Sequence, residues 1–215
     1  MNTEDMTRLK IPVAVVRRMP KYLTQAQYLR QEGVQWVSSL SLAEALGLTS
    51  STVRQDLSHI DFQGVSKRGY STVGLEAALA RTLGVDHDIT CILVGAGNLG
   101  RALALHEGFG RQGFKIVGVF DSSPAVVGKK VGHFIVRPMA DLVAVVAQQK
   151  VEIGILSVPH EAAQAVADQL ILSRVRGLLN LTTAHLRTPA AVPVVDTRVL
   201  SSLRELAYSV RSRQV

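Results

Sequence analysis

The chain has 215 residues, 47% of them hydrophobic and 19% charged, which points to one large or two small domains at about 150 residues each and excludes a disordered polymer. No segment approaches the roughly 20 apolar residues of a membrane span, and Cys91, the only cysteine, leaves a single chain without an internal disulfide or a thiolate metal cage. The net charge of +7 suits a polyanionic partner but is spread evenly, with 10 basic and 7 acidic side chains in residues 1–85 and 14 and 10 in residues 86–215.

The first thirty residues interleave Glu4, Asp5, Arg17, Arg18 and Lys21 with short apolar stretches, not the continuous apolar core and cleavage site of a leader, so a cytoplasmic address is expected. From Leu42 the apolar residues recur at three and four (Leu42, Ala45, Leu46, then Val53, Leu57, Ile60), which is helical spacing. A short helix beginning near Ser41 is expected to end at Gly47, and Thr49 or Ser50 to cap a second. Leu42, Leu46, Leu48, Val53 and Leu57 would lock the two together, leaving Ser50, Ser51, Thr52, Arg54, Gln55 and Ser58 as donors for base edges and phosphates in a major groove. Gly64 to Val73 then looks like a hairpin with Lys67 and Arg68 at its tip and Tyr70 on its flank, the wing of a winged helix-turn-helix. A solvated helical hairpin produces the first pattern too; the attached basic wing favours DNA. Residues 1–85 are therefore expected to form a DNA-binding domain, with a boundary near Gly84–Asp88.

Beyond that boundary short apolar runs (89–94, 114–120, 151–156, 177–181 and 192–195) alternate with helical patterns, as in the buried parallel strands of a doubly wound α/β sheet. The first run leads into Gly95-Ala96-Gly97-Asn98-Leu99-Gly100 and then a helix, the strand-loop-helix setting in which GxGxxG binds a dinucleotide pyrophosphate. The next strand ends at Asp121, where a carboxylate accepts hydrogen bonds from the adenosine ribose and repels a 2′-phosphate. NAD(H) is thus favoured over NADP(H), although Lys129 and Lys130 follow a short loop later. Residues 86–196 are expected to be this Rossmann-like domain.

A dehydrogenase needs a proton donor or acceptor beside the nicotinamide. His160 follows a strand end but reads better as a helix-start residue, and His59, His87, His106, His133, His160 and His185 show no metal-ligand spacing. The cofactor is expected to be sensed, not turned over. The last segment, 197–215, carries Val199, Leu200, Leu203, Leu206, Ala207 and Val210 as a helical apolar stripe, to be docked either on its own domain or on a partner subunit.

Several stretches together resemble the Rex family of redox-sensing transcriptional repressors: Ile11-Pro12 with Arg17 to Leu23, Val53 to Ser58, Lys67-Arg68-Gly69-Tyr70, Gly95 to Gly100, Ser157 to Gln164, and Gly177 to Leu181. The resemblance runs in family order from about residue 10 to about 210. It implies a homodimer with N-terminal winged helices, Rossmann domains and a C-terminal helix swapped between subunits, bound to a palindromic operator in double-stranded DNA and released by NADH. By the same resemblance Asn98 and Leu99 join the pyrophosphate loop, and Val158, Pro159 and Asn180 neighbour the nicotinamide. The chain departs from the family at Gln55, where a lysine is usual, and at Ile60 to Ser66, where an aromatic-glycine pattern is usual. Thr24 stands for an arginine, His106 for a tyrosine, and Arg198 (or, with a two-residue shift, Asp196) for or at an aspartate, which implies a weaker or rewired redox switch. A small NAD-dependent oxidoreductase, or a regulator with another ligand such as coenzyme A, are the rival readings, since a Rossmann loop does not name its ligand.

Overall fold

The computed structural model describes residues 11–212; residues 1–10, with Glu4 and Asp5, and residues 213–215 lie outside the described residues. The chain divides into two compact units between His87 and Asp88.

The first unit begins with α1 (Val13–Gln31), a helix that sequence patterning did not single out. Its buried residues Val15, Met19, Tyr22, Leu23 and Ala26 fall at three- and four-residue steps on one face. Then come β1 (Trp36–Val37), α2 (Ser39–Leu46), α3 (Ser50–Leu57), β2 (Tyr70–Ser71) and α4 (Thr72–Leu83). Gly47 ends α2 at φ +65, and Thr49, not Ser50, caps α3 by accepting the Thr52 amide at 3.1 Å. Leu42, Val53 and Leu57 are buried with Met19, Tyr22, Leu75 and Leu79. Ala45, expected on the buried stripe, is exposed and Ala43 takes its place; periodicity allows either side of the line from Leu42 to Leu46.

The wing is shorter than expected. Val65 and Gly69 exchange two backbone hydrogen bonds of 2.7 and 2.9 Å, whereas Tyr70 and Ser71 pair with Val37 and Trp36 on β1. Ser71 caps α4, so Thr72 and Val73 are helical. Three alternating residues do not distinguish a strand from a cap followed by a helix.

The second unit contains β3 (Ile89–Val94), α5 (Asn98–Ala104), α6 (Gly108–Arg111) and β4 (Phe114–Asp121), followed by a small ribbon of β5 (Lys130–Val131) and β6 (Phe134–Ile135). After it come β7 (Arg137–Pro138), α7 (Leu142–Gln149), β8 (Ile153–Leu156), α8 (Ala163–Leu172), β9 (Gly177–Asn180), β10 (Val194–Asp196) and α9 (Val199–Ser212). Six strands form a parallel sheet in the order β10-β9-β8-β3-β4-β7. The β8 strand starts two residues later than its apolar run, because Val151 still bonds to Val146 at the end of α7. Ile92 and Val94 pack with α7 and α8; Cys91 and Leu93 pack with Ala104 of α5. Both faces are thus used, as β3's unbroken apolar run requires.

Two surfaces remain bare. One is an apolar groove of about 360 Å³ over the sheet, lined by Cys91, Phe109, Phe114, Ile153, Leu178 and Val195 among others. On α9, Val199, Leu200, Leu203, Leu206, Tyr208 and Val210 are each at least 53% exposed. Among the described residues no helix is long and apolar enough to cross a membrane.

Candidate nucleotide and nucleic-acid sites

Strand order reverses between β3 and β8, and open α/β sheets bind ligands outside the carboxyl ends of the strands at such a point. A crevice of about 350 Å³ lies there, walled by Gly95, Ala96 and Gly97 after β3, by Asp121, Ser122 and Ser123 at the end of β4, and by Ser157, Val158 and Pro159 after β8.

The three glycines of the loop differ in what demands them. A Cβ on Gly95, which sits at φ +103, would lie 2.1 Å from the Ser157 carbonyl oxygen, and one on Gly100 would lie 1.8 Å from the Gly95 carbonyl oxygen. The fold itself forbids side chains at both. Around Gly97 a Cβ would meet nothing within 4 Å, and its φ of −69 suits any residue. Nothing in the protein requires that glycine, whereas a pyrophosphate lying against the backbone would. No side chain caps α5 at Gly97, so the first amides of the helix face the space where phosphates would lie. The residues therefore fit a dinucleotide.

Asp121 is held rigidly. One carboxylate oxygen accepts the Ala96 amide at 2.7 Å and the other the Ser123 amide at 2.8 Å, and each keeps a lone pair for a ribose hydroxyl. Arg101 also lines the crevice, its guanidinium donating to the Asn98 side chain at 3.3 Å. The sequence reading missed this cation, although a basic residue directly after the third glycine marked it.

The remaining expected residues lie around this crevice and at the strand ends. Asn98 and Leu99 are exposed on the first turn of α5. Asn180 lies outside the crevice lining: it is fully buried, donates to the Ala184 carbonyl and to Asp196, and accepts from Thr182 twice. An amide so fully engaged shapes the turn after β9 and has no donor left for a nicotinamide carboxamide. His160 does begin a short helical turn, where its ring lies 3.1 Å from the Thr183 hydroxyl. Cys91 is buried, and that burial, with Glu152 nearby, pushes its thiol up to about 11.

In the first unit Ser51, Arg54, Gln55 and Ser58 lie exposed along one side of α3, and Lys67 and Arg68 are exposed on the wing. Ser50 and Thr52 are half-buried, and Thr52 is drawn into the Thr49 cap. Tyr70 is half-buried beside Phe62, at 6.3 Å between ring centres, so it braces the wing's base; burial raises its phenol above the ordinary value. The inner side of α3 carries a group that patterning did not assign. Asp56 is buried, receives two hydrogen bonds from Arg18 at 2.6 and 2.7 Å, and a third from the Tyr22 hydroxyl at 2.7 Å. Burial alone would push its carboxyl up, but those bonds and the Arg18 charge hold it below the ordinary value. This cluster bolts α3 to α1 and leaves the opposite side of α3 free to face outward.

Residues 10–58 match a family described as the putative DNA-binding protein N-terminus, and residues 86–184 a family described as a CoA binding domain. The chain is 35% identical over 203 residues to the redox-sensing transcriptional repressor Rex of Caldicellulosiruptor saccharolyticus, covering 94% of this chain and 93% of that one. It is 37% identical over 206 residues to Rex of Carboxydothermus hydrogenoformans, covering 96% and 99%. Among solved structures it resembles RSP, a Rex-family repressor. The complex of RSP with β-NAD+ and operator DNA gives a TM-score of 0.89 at 32% identity, covering 95% of this chain and 94% of the other. Its complex with β-NADH gives 0.86 at 32%, covering 95% and 96%.

Proposed function

The chain belongs to the Rex family of redox-sensing transcriptional repressors, and on that premise we propose that it is a homodimeric, NAD(H)-responsive repressor of the cytoplasm. It holds a palindromic operator through α3 and the wing and leaves it when NADH fills the crevice of the second unit. The observation that carries the ligand reading is Gly97, a glycine that the fold does not need and a ligand close to the backbone does. Asp121 then meets the ribose hydroxyls and opposes a phosphorylated ribose. That favours NAD(H) over NADP(H), and equally over coenzyme A, whose adenosine carries a 3′-phosphate. When bound, the nicotinamide supplies a positive charge that is present in one redox state and absent in the other. Val158 and Pro159 give that ring an apolar wall, and the similar chains are redox-sensing repressors, which supports sensing as the role and not turnover.

The bare stripe on α9 supports a second copy as its cover, with 197–215 as the dimerisation segment and residues 1–85 and 86–196 as the two working domains. The two-fold axis this creates matches a palindromic site. The switch itself is weaker than in the family. Thr24, its hydroxyl turned back to the Pro20 carbonyl, has no charge to offer in place of an arginine, and the Asp196 carboxylate is already engaged by Asn180 and Arg198.

The test is affinity for a duplex that the protein itself enriches from a random pool, at one salt concentration, with saturating NAD+, saturating NADH or no nucleotide. Binding should be tighter with NAD+ than with NADH, by less than a hundredfold, or about 2.7 kcal/mol. Equal affinity in all three conditions would remove the redox role, and steady oxidation of NADH by an oxo acid would favour an oxidoreductase.

A further inference from the structure

Arg68 lies with its guanidinium carbon 4.0 Å from the centre of the Trp36 ring. Two backbone constraints bring these residues together although they are distant in sequence. Trp36 is fixed on β1 opposite Ser71. Gly69, at φ +90, lets the hairpin lie so close on β1 that a Cβ there would come within 2.3 Å of the Val37 carbonyl oxygen. Lys67 takes the left-handed corner of the hairpin at φ +63. Arg68 is exposed and Trp36 half-buried, and among the described residues no carboxylate forms an ion pair with Arg68.

A guanidinium donates all five N–H bonds in its own plane, while an aromatic ring takes its face. Among the described residues the Arg68 side chain donates no hydrogen bond, and the contact with the ring is a cation–π one. It removes much of the rotamer freedom that a long exposed side chain otherwise loses when it binds. A lysine, as a point charge on a flexible stem, would gain less from the same ring.

We propose that Trp36 is a positioning residue for DNA binding: it holds Arg68 ready at the wing, edge outward, to meet the groove edge beside α3, while Lys67 contributes general attraction to the phosphates. This rests on the reading of the first unit as a DNA-binding module, and the test separates the two.

Full-length wild type, Trp36→Leu, Trp36→Phe, Arg68→Ala and the Trp36→Leu/Arg68→Ala double variant are titrated against the duplex enriched by the wild type, between about 50 and 200 mM salt. Trp36→Leu should weaken binding about two- to fivefold, the range of an exposed cation–π contact, with the salt slope unchanged because no phosphate contact is removed. Trp36→Phe should recover part of the loss, and in the Arg68→Ala background Trp36→Leu should have no effect. A defect of equal size in both backgrounds, or no defect in either, overturns the proposal. Arg68→Lys, which keeps the charge and gains less from the ring, leaves β1 untouched, and Trp36→Phe should recover less there than beside Arg68, so an equal effect of Trp36→Phe beside Arg68 and beside lysine also overturns the proposal. If Arg68→Ala leaves affinity and slope unchanged, the wing contact falls while DNA binding by α3 stands. If the wild type enriches no duplex, the DNA reading itself falls.

Discussion

Alanine at Gly97 and alanine at Gly95 should separate what the ligand needs from what the fold needs. At Gly95 the substitution forces a positive-φ residue, about 1–3 kcal/mol of strain, and drives a methyl to 2.1 Å from the Ser157 carbonyl oxygen, so a loss of about 3 kcal/mol or more is expected. For a domain of this size each kcal/mol shifts the melting temperature by about 3–5 °C, giving a drop of roughly 10 °C or more. At Gly97 the methyl enters open space from an ordinary backbone conformation, so stability should stay within about 0.5 kcal/mol. The same methyl would hold a pyrophosphate away from the loop amides. Hydrogen bonds to a charged group contribute about 1.5–3 kcal/mol, and NADH should bind about 10- to 150-fold more weakly. Nucleotide-free thermal melting and calorimetric titration with NADH read the two effects. If Gly97→Ala binds NADH like the wild type, the phosphates do not lie where the loop amides point. If it melts as low as Gly95→Ala, the glycine is structural and its value as a ligand signature is gone.

Arg18→Ala should destabilise the first unit by about 2–3 kcal/mol at pH 7, less than the 3–5 expected for a fully buried pair because the Arg18 side chain is 30% exposed. Asp56 has a lowered carboxyl, so its contribution is complete above the ordinary carboxylate value near 3.9 and fades as pH falls through the lower folded value. Urea unfolding of both proteins at pH 7 and pH 3 should therefore show the gap narrowing in acid, and a constant gap would mean that the charge is not what matters. Leu203→Arg, placed on the bare stripe of α9, should give a monomer in sedimentation whose melting no longer depends on protein concentration; an intact dimer would show that the stripe is not the interface.

What could be read from the sequence was local. Gly47 after an apolar stripe, Thr49 before the next, and a glycine loop between a strand and a helix each act within a few residues, and each is visible in a short window. The Arg18–Asp56–Tyr22 cluster joins residues 34 and 38 positions apart, and no spacing rule connects an aspartate beside the apolar stripe of Val53 and Leu57 with an arginine in a segment that patterning left unassigned. Asn180 shows the converse. Its place at a strand end suggests a ligand neighbour, and only the structure shows its amide engaged with the turn at 182–184 and with Asp196. The charge of Arg68 marks it as part of a basic wing, but its contact with Trp36 depends on how tightly the hairpin folds back on β1.

The contact between Gly95 and the Ser157 carbonyl has a bearing on what such a sensor measures. The floor of the crevice is locked backbone to backbone: Gly95 donates to Phe120, Ser157 to Val94, and Gly100 sits against the Gly95 carbonyl. A floor this stiff grips the adenosine and phosphate half of either nucleotide in the same way. A ligand portion bound equally in both conformations cannot move the balance between them; it only keeps the site filled. Where the nucleotide pool exceeds the dissociation constant, occupancy saturates and stops carrying information about the size of that pool. What remains variable is the identity of the ring at the far end, so the quantity reported to the DNA is a ratio of two competitors and not the concentration of either.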